Sequence, residues 1–314
     1  MQEKETILVA PLNWGLGHAT RVVPVIIESM RKGSKIIIAA KGASLQFLKQ
    51  EFPELIFIEL SGFNIRYAVK PFFLTFLLLQ MPFFYISIWI EHFRLAKIIK
   101  QHNVTTVISD NRYGLWSKKV KSVLITHQLF IQLPKTIKYL EPLLHLFTRK
   151  LIERFSECWI PDYADYKTSL AGKLSHGSQL PNNVKYIEPL SRFKNIKNKQ
   201  TINAEKQVDF LVLISGPEPL RTRFEKEMIE RFSQTEKNVL ILCGKPSVKS
   251  KQKTDNITLI NHLETDDLYY QLKNAKQVIA RSGYSTIMDL HVLGIKAELI
   301  PTPGQIEQEY LVEW

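Results

Sequence analysis

The stretch ILVAPLNWGLGHATRVVPVII, residues 7–27, runs from an unbroken apolar segment through a glycine turn into a helical pattern. Ile7 to Leu12 shows no in-and-out alternation, as expected of a parallel strand covered on both faces. Gly15 and Gly17 then flank Leu16, and His18 and Arg21 stand at the mouth of the helix. Strand, glycine turn and helix make the first half of a βαβ unit. Ligands of such units gather beyond the carboxyl ends of the strands.

A dinucleotide reading of this loop fails at two positions. Thr20 stands where a third glycine belongs, and the second apolar run ends Ala39-Ala40-Lys41 with no acid to hold a ribose. What is left is a turn around Asn13, Gly15 and Gly17 that lets a ligand approach the backbone, with free N–H groups at a helix start. His18 there can take a proton near neutral pH. Simple capping of the helix is its alternative role.

Working outward, unbroken apolar runs recur at 35–40, 55–60, 105–110, 122–127 and 158–162, separated by segments long enough for crossover helices. From Ser191 the chain turns polar and basic, SRFKNIKNKQTINAEKQ, and a second series follows at 209–215, 238–244, 257–262, 277–282 and 296–302. The pattern predicts an α/β protein of two Rossmann-like, doubly wound domains. Residues 1–192 form the first, 193–207 a linker and 208–314 the second. With 314 residues, each domain can bury its own core.

The strand-to-helix loops carry the chemistry. In the first domain SDNRYG (109–114) and THQ (126–128) bring Asp110, Asn111, Arg112, His127 and Gln128 to the same edge as His18 and Arg21, where they are expected to converge on one cleft. In the second, ISGPEP (214–219) leaves Gly216 free for close approach. The run RSGYSTIMDLHVLGIKAELIPTPGQIEQEYL (281–311) is the most telling. Arg281, Ser282 and Gly283 end a strand, and a helix is predicted over 284–293. Its N-terminal N–H groups, with Ser285 and Thr286, suit a diphosphate. Asp289 on that helix suits ribose hydroxyls, and Gln305, Glu307 and Gln308 beyond the next strand suit a sugar.

The net charge of +12 is uneven: residues 1–190 carry 24 Lys and Arg against 14 Asp and Glu, and residues 191–314 carry 18 against 16. The basic half suggests an anionic partner, or else a solvated face. Its charges are dispersed and no DNA- or RNA-binding motif occurs, so no nucleic acid is expected. Residues 71–90, PFFLTFLLLQMPFFYISIWI, contain no charge. They fit a membrane span, a helix packed on the sheet, or an interfacial helix aided by Lys70, Arg94, Lys97 and Lys100. Cys158 and Cys243 lie in apolar runs far apart and read as buried thiols. With no basic n-region ahead of an apolar core, no signal peptide is expected. The expected location is cytoplasmic, with peripheral contact at the inner face of a membrane. No D-x-D and no His/Cys cluster at ligand spacing occurs, so neither metal nor cofactor is expected.

NWGLGHATR, THQ and RSGYSTIMD followed by IPTPGQIEQ together resemble the GT-B glycosyltransferases of family 28, over nearly the whole chain. The resemblance implies two domains facing across a cleft, the first binding an acceptor and the second a UDP-sugar. It places His18 near the reaction centre, Asp289 near the ribose and Gln305 to Gln308 near the donor sugar. The family has Glu at the ribose position, one methylene longer than Asp289, and a C-terminal helix beyond the point where this chain stops, so truncation is expected. The reaction implied is metal-independent, inverting hexosyl transfer to a hydroxyl, with His18 or Asp110 as base and a lipid-linked acceptor as one option. Alternatives are a nucleotide-sugar epimerase and a binding or membrane-docking subunit without activity of its own.

Overall fold

The structure is a computed structural model that describes residues 4–62, 73–194, 196, 208–246 and 250–314. Most of the expected linker, residue 195 and residues 197–207, lies outside the described residues. The chain divides into two compact units. The first is Met1–Asn13, Val25–Leu45 and Glu54–Pro189, and the second is Trp14–Pro24, Gln46–Pro53 and Leu190–Trp314.

The first sheet has seven parallel strands: β1 (Thr6–Pro11), β2 (Lys35–Ala40), β3 (Ile56–Glu59), β4 (Thr106–Asp110), β5 (Lys121–Ile125), β6 (Glu157–Pro161) and β7 (Val184–Ile187). Their spatial order is β3-β2-β1-β4-β5-β6-β7, so the winding reverses between β1 and β4. The crossovers include helices α1 (Gly17–Arg31), α2 (Gly42–Glu51), α3 (Phe73–His102) and α4 (Glu141–Ile152). β1 is buried at all six positions. That is why its sequence is apolar without alternation.

The second sheet contains β8 (Phe210–Leu213), β9 (Val239–Leu242), β10 (Lys251–Thr254), β11 (Ile257–Ile260), β12 (Gln277–Arg281) and β13 (Ala297–Ile300), in the order β10-β11-β9-β8-β12-β13. Here the reversal falls between β8 and β12. All pairings are parallel except β10 with β11. Helices α5 (Leu220–Phe232), α6 (Thr265–Asn274), α7 (Tyr284–Leu293) and α8 (Ile306–Glu313) accompany it. Leu211, Leu240 and Val278 face one core, with Leu268 of α6 and Leu290 of α7, while Val212, Ile241 and Ile279 face another, with Phe224 and Met228 of α5. The period of two survives, with both faces apolar.

Two strands carry no such signal. β10 reads KQKT and is exposed at every position, an antiparallel edge strand held by its backbone. β7, VKYI, pairs only with β6 at the other sheet's edge.

α3 covers the described part of the 71–90 segment. Ile88, Glu91, Leu95 and Ile98 are buried, whereas Leu79, Phe83, Ile86, Ile90 and Phe93 are exposed by 46–65%. Both sets step by three and four residues, so they occupy opposite faces of one helix. Among the described residues no helix is long and apolar enough to cross a membrane.

Candidate active site

The second sheet's reversal point lies between the loops after β8 and β12, where a parallel sheet opens a crevice. Gly216 lies in the first loop with φ +107°, a conformation closed to most side chains. In the second, Gly283 precedes α7, no side chain caps the helix, and a Cβ built on Gly283 meets nothing within 4 Å. Gly283 thus leaves open space at the start of α7, with Ser285 and Thr286 half-buried after it. Such an end attracts an anion through its N–H groups and its dipole.

Several residues expected to face a ligand are turned inward. Arg281 is 3% exposed, donates from Nη1 to the Pro301 carbonyl at 2.7 Å, and lies 3.7 Å over the Phe224 ring. Burial lowers its pKa to about 10. It closes the strand end from behind. Ser282 is fully buried and donates to the Gln308 carbonyl at 2.9 Å. Gln308 accepts from the Thr302 N–H at 2.9 Å and donates to Gln305 Oε1 at 2.5 Å, so its amide shapes the 301–308 turn. Glu307, in the first turn of α8, is half-buried.

Asp289 is engaged as well. Its Oδ1 accepts from the Ser191 hydroxyl at 2.6 Å, and Oδ2 lies 3.9 Å from Arg192 Nε. Burial raises its carboxyl to about 6, against the lowering influence of Arg192 and of the Ser191 hydrogen bond. The Oδ1 oxygen is thus already engaged within the protein. Arg192 is itself buried, its Nε and Nη1 have no hydrogen-bond partner, and burial lowers its pKa. Its guanidinium lies 5.7 Å from the Phe47 ring centroid, and His262 meets the same ring edge-on at 5.7 Å. A buried cation with unmet donors is the site's strongest invitation to an acceptor-rich ligand. Sequence reading missed Ser191 and Arg192, because they sit where the chain turns polar and reads as linker.

The opening loop clusters in the second unit. Ser285 Oγ donates to the Gly17 carbonyl at 2.9 Å, and a Cβ on Gly17 would come within 3.0 Å of that hydroxyl. Gly17 therefore permits close packing of the loop on α7. Arg21, expected at the acceptor, is 2% exposed, and its Nη2 lies 2.9 Å from His18 Nδ1. His18 is half-buried, and Gly15 holds φ +69°.

In the first unit, β1 and β4 end side by side, Pro11 opposite Asp110. Asp110 is fully buried and His127 nearly so, while Gln128 is half-buried. Asn13 lies against Gly42 at the start of α2. Asn111 adopts φ +58° and its buried Oδ1 has no hydrogen-bond partner, a strained polar residue at the reversal point. Arg112, also expected at the acceptor, turns away. It is 2% exposed and donates to Glu91 Oε1 at 2.9 and 3.2 Å and to the carbonyls of Leu60 and Ser61. These groups anchor α3 and the end of β3, so Arg112 belongs to the core. Among the described residues no group of three or more His, Cys, Asp or Glu side chains is placed to hold a metal ion.

Residues 215–311 match the Glycosyltransferase family 28 C-terminal domain. This span includes the Gly216 and Gly283 loops, α7 and the 301–308 turn. An uncharacterized glycosyltransferase of Methanosarcina acetivorans is 24% identical over 94% of this chain and 79% of its own length. Among solved structures, the glycotransferase of kitacinnamycin aligns with TM-score 0.60 at 11% identity, over 99% of this chain and 84% of its own. MurG of Acinetobacter baumannii aligns with TM-score 0.53 at 12% identity, over 98% and 82%. The fold and the matched domain define a GT-B glycosyltransferase. Within that class, residues 215–311 are of the family 28 C-terminal type.

Proposed function

We propose that the protein transfers a hexose from a nucleoside-diphosphate sugar, a UDP-sugar, to an acceptor hydroxyl, without metal and with inversion. The observation that carries this reading is the uncapped start of α7 together with Arg192, which pairs with Asp289 of that helix and keeps Nε and Nη1 without a hydrogen-bond partner. A helix N-terminus and a buried cation within one helix length suit a diphosphate leaving group, whose charge grows as the glycosidic bond breaks. The acceptor oxygen attacks the anomeric carbon through an oxocarbenium-like transition state, and its proton passes to a base, for which His18 and Asp110 are the candidates. Donor residues are then Gly216, Gly283, Thr286, Arg192 and Asp289. Asn111, His127 and Gln128 serve the acceptor.

A thermal-shift panel of nucleoside diphosphates and their sugars tests this directly. Selective stabilisation by UDP and UDP-sugars is the expected result, since a ligand at 100 times its Kd adds about 2.7 kcal/mol. Equal response to every nucleotide refutes the donor assignment. Conversion of UDP-N-acetylglucosamine with no acceptor present would instead show an epimerase.

The outer face of α3 supports a membrane-borne acceptor. Five large apolar side chains from Leu79 to Phe93 are exposed along one stripe, with Arg94, Lys97 and Lys100 following on the same helix. An apolar stripe beside basic residues suits an anionic lipid surface. Flotation with phosphatidylglycerol vesicles is expected to carry the wild type and to leave a Phe83→Glu/Phe93→Glu variant behind. Equal flotation of both removes α3 as the anchor.

A further inference from the structure

The contact between Arg21 and His18 carries a chemical consequence. A guanidinium has donors and no acceptor. The 2.9 Å contact from Arg21 Nη2 therefore requires a lone pair on His18 Nδ1. An imidazolium offers none, and neither does the tautomer protonated at Nδ1. In this geometry His18 is the neutral ring with its proton on Nε2. The familiar histidine base has the opposite arrangement, with a carboxylate taking Nδ1–H and leaving Nε2 free to accept. Arg21 is 2% exposed and three residues along the same helix, so its guanidinium is held in place beside Nδ1.

We infer that Arg21 is the positioning residue that fixes His18 as a hydrogen-bond donor through Nε2–H, serving an oxygen of the nucleoside-diphosphate sugar and not the acceptor proton. The inference rests on the transfer reading above and removes His18 from its candidate bases. In the step it implies, a lone pair of the acceptor oxygen forms the bond to the anomeric carbon. The bond from that carbon to the diphosphate oxygen breaks with both electrons going to the diphosphate. The hydroxyl proton passes to a base other than His18, solvent water in the simplest case. His18 keeps its proton throughout, and its Nε2–H strengthens its bond as charge develops on the leaving group.

Two measurements test this. The first is nitrogen NMR of histidine-labelled protein at neutral pH, with His18 assigned by its loss in His18→Gln. A pyridine-like Nδ1 and a pyrrole-like Nε2 are expected, collapsing toward a tautomer mixture in Arg21→Met. A protonated Nδ1 in the wild type, or a pattern indifferent to Arg21→Met, overturns the inference whether or not a donor has been found. The second compares transfer rates of His18→Gln and His18→Ala. Glutamine keeps an N–H at the Nε2 position and is expected to lose no more than about tenfold, alanine about a hundredfold or more. If glutamine falls as far as alanine, His18 is the base and the inference fails. If the NMR pattern is as expected but no UDP-sugar is bound or turned over, the transfer reading fails and the tautomer assignment stands.

Discussion

Asp289 and His262 are predicted to oppose each other in the pH dependence of stability, and replacing one should expose the other. Burial raises Asp289 from an ordinary value of 3.8 to about 6. A carboxyl whose folded pKa lies above its unfolded one stabilises the fold fully below the unfolded value, and that stability is lost as pH rises through the folded one. At 1.36 kcal/mol per pH unit, the gap is worth about 3 kcal/mol, lost between about pH 4 and 6. His262 runs the other way. Burial, with the positive charge of Arg192 adding to it, lowers the ring from 6.5 to about 4. Its stabilisation is complete above 6.5 and lost as pH falls through about 4. Because the ring is only half-buried, solvent screening reduces that contribution to about 2 kcal/mol.

The two slopes nearly cancel in the wild type. In Asp289→Asn the carboxyl's slope disappears while an oxygen for Ser191 is retained. The stability difference, variant minus wild type, should therefore grow in the variant's favour by about 3 kcal/mol from pH 4 to 6.5. Urea titrations at half-unit pH steps measure it, and Tm should move in the same sense by roughly 5–10 °C. His262→Gln should tilt the opposite way. Taking the difference curve removes every other carboxyl, including Glu157, whose hydrogen bonds hold it at about 2. A difference flat to within about 1 kcal/mol would refute the assignment of a raised, buried carboxyl at Asp289.

Arg112→Met should destabilise the protein by about 3–5 kcal/mol in urea, because it strands Glu91 in the core without its partner. Glu91→Gln, which keeps an acceptor for the guanidinium, should cost less. Gly114→Ala should cost about 2 kcal/mol or more, since its Cβ would lie 2.4 Å from the Ile88 carbonyl and 2.6 Å from Glu91 Cβ. Burial pushes the Cys158 thiol to about 12 and the Cys243 thiol to about 11. Neither should react with a disulfide reagent at pH 8 until urea unfolds the chain, and fast labelling of native Cys158 would contradict its burial.

The central strands were legible because parallel strands buried on both faces leave an unbroken apolar run, and α7 spans the 284–293 expected for it. β10 and β7 were not, since an edge strand satisfies its backbone through one neighbour and needs no apolar code. In the site, residue types were legible and directions were not. A polar residue at a strand end reads identically whether it faces solvent or folds back. Arg112 folds back because Glu91, 21 residues earlier, waits in the core, and no local pattern links the two.

The arginines make the point in energetic terms. Arg21, Arg112 and Arg281 all stood in loops expected to meet substrate, and all are 2–3% exposed. Each already donates to a fixed group: Arg21 to His18, Arg112 to Glu91 and two carbonyls, Arg281 to Pro301. A guanidinium so engaged loses about as much as it gains by turning to a ligand, because its abandoned partners stay buried. Arg192 differs. Two of its nitrogens are buried without partners and its carboxylate neighbour stands at 3.9 Å, so an incoming acceptor oxygen removes an existing penalty. In the proposed transfer, Arg192 and the start of α7 are therefore the groups offered to a diphosphate. The three arginines picked out by sequence are each bound within their own surroundings.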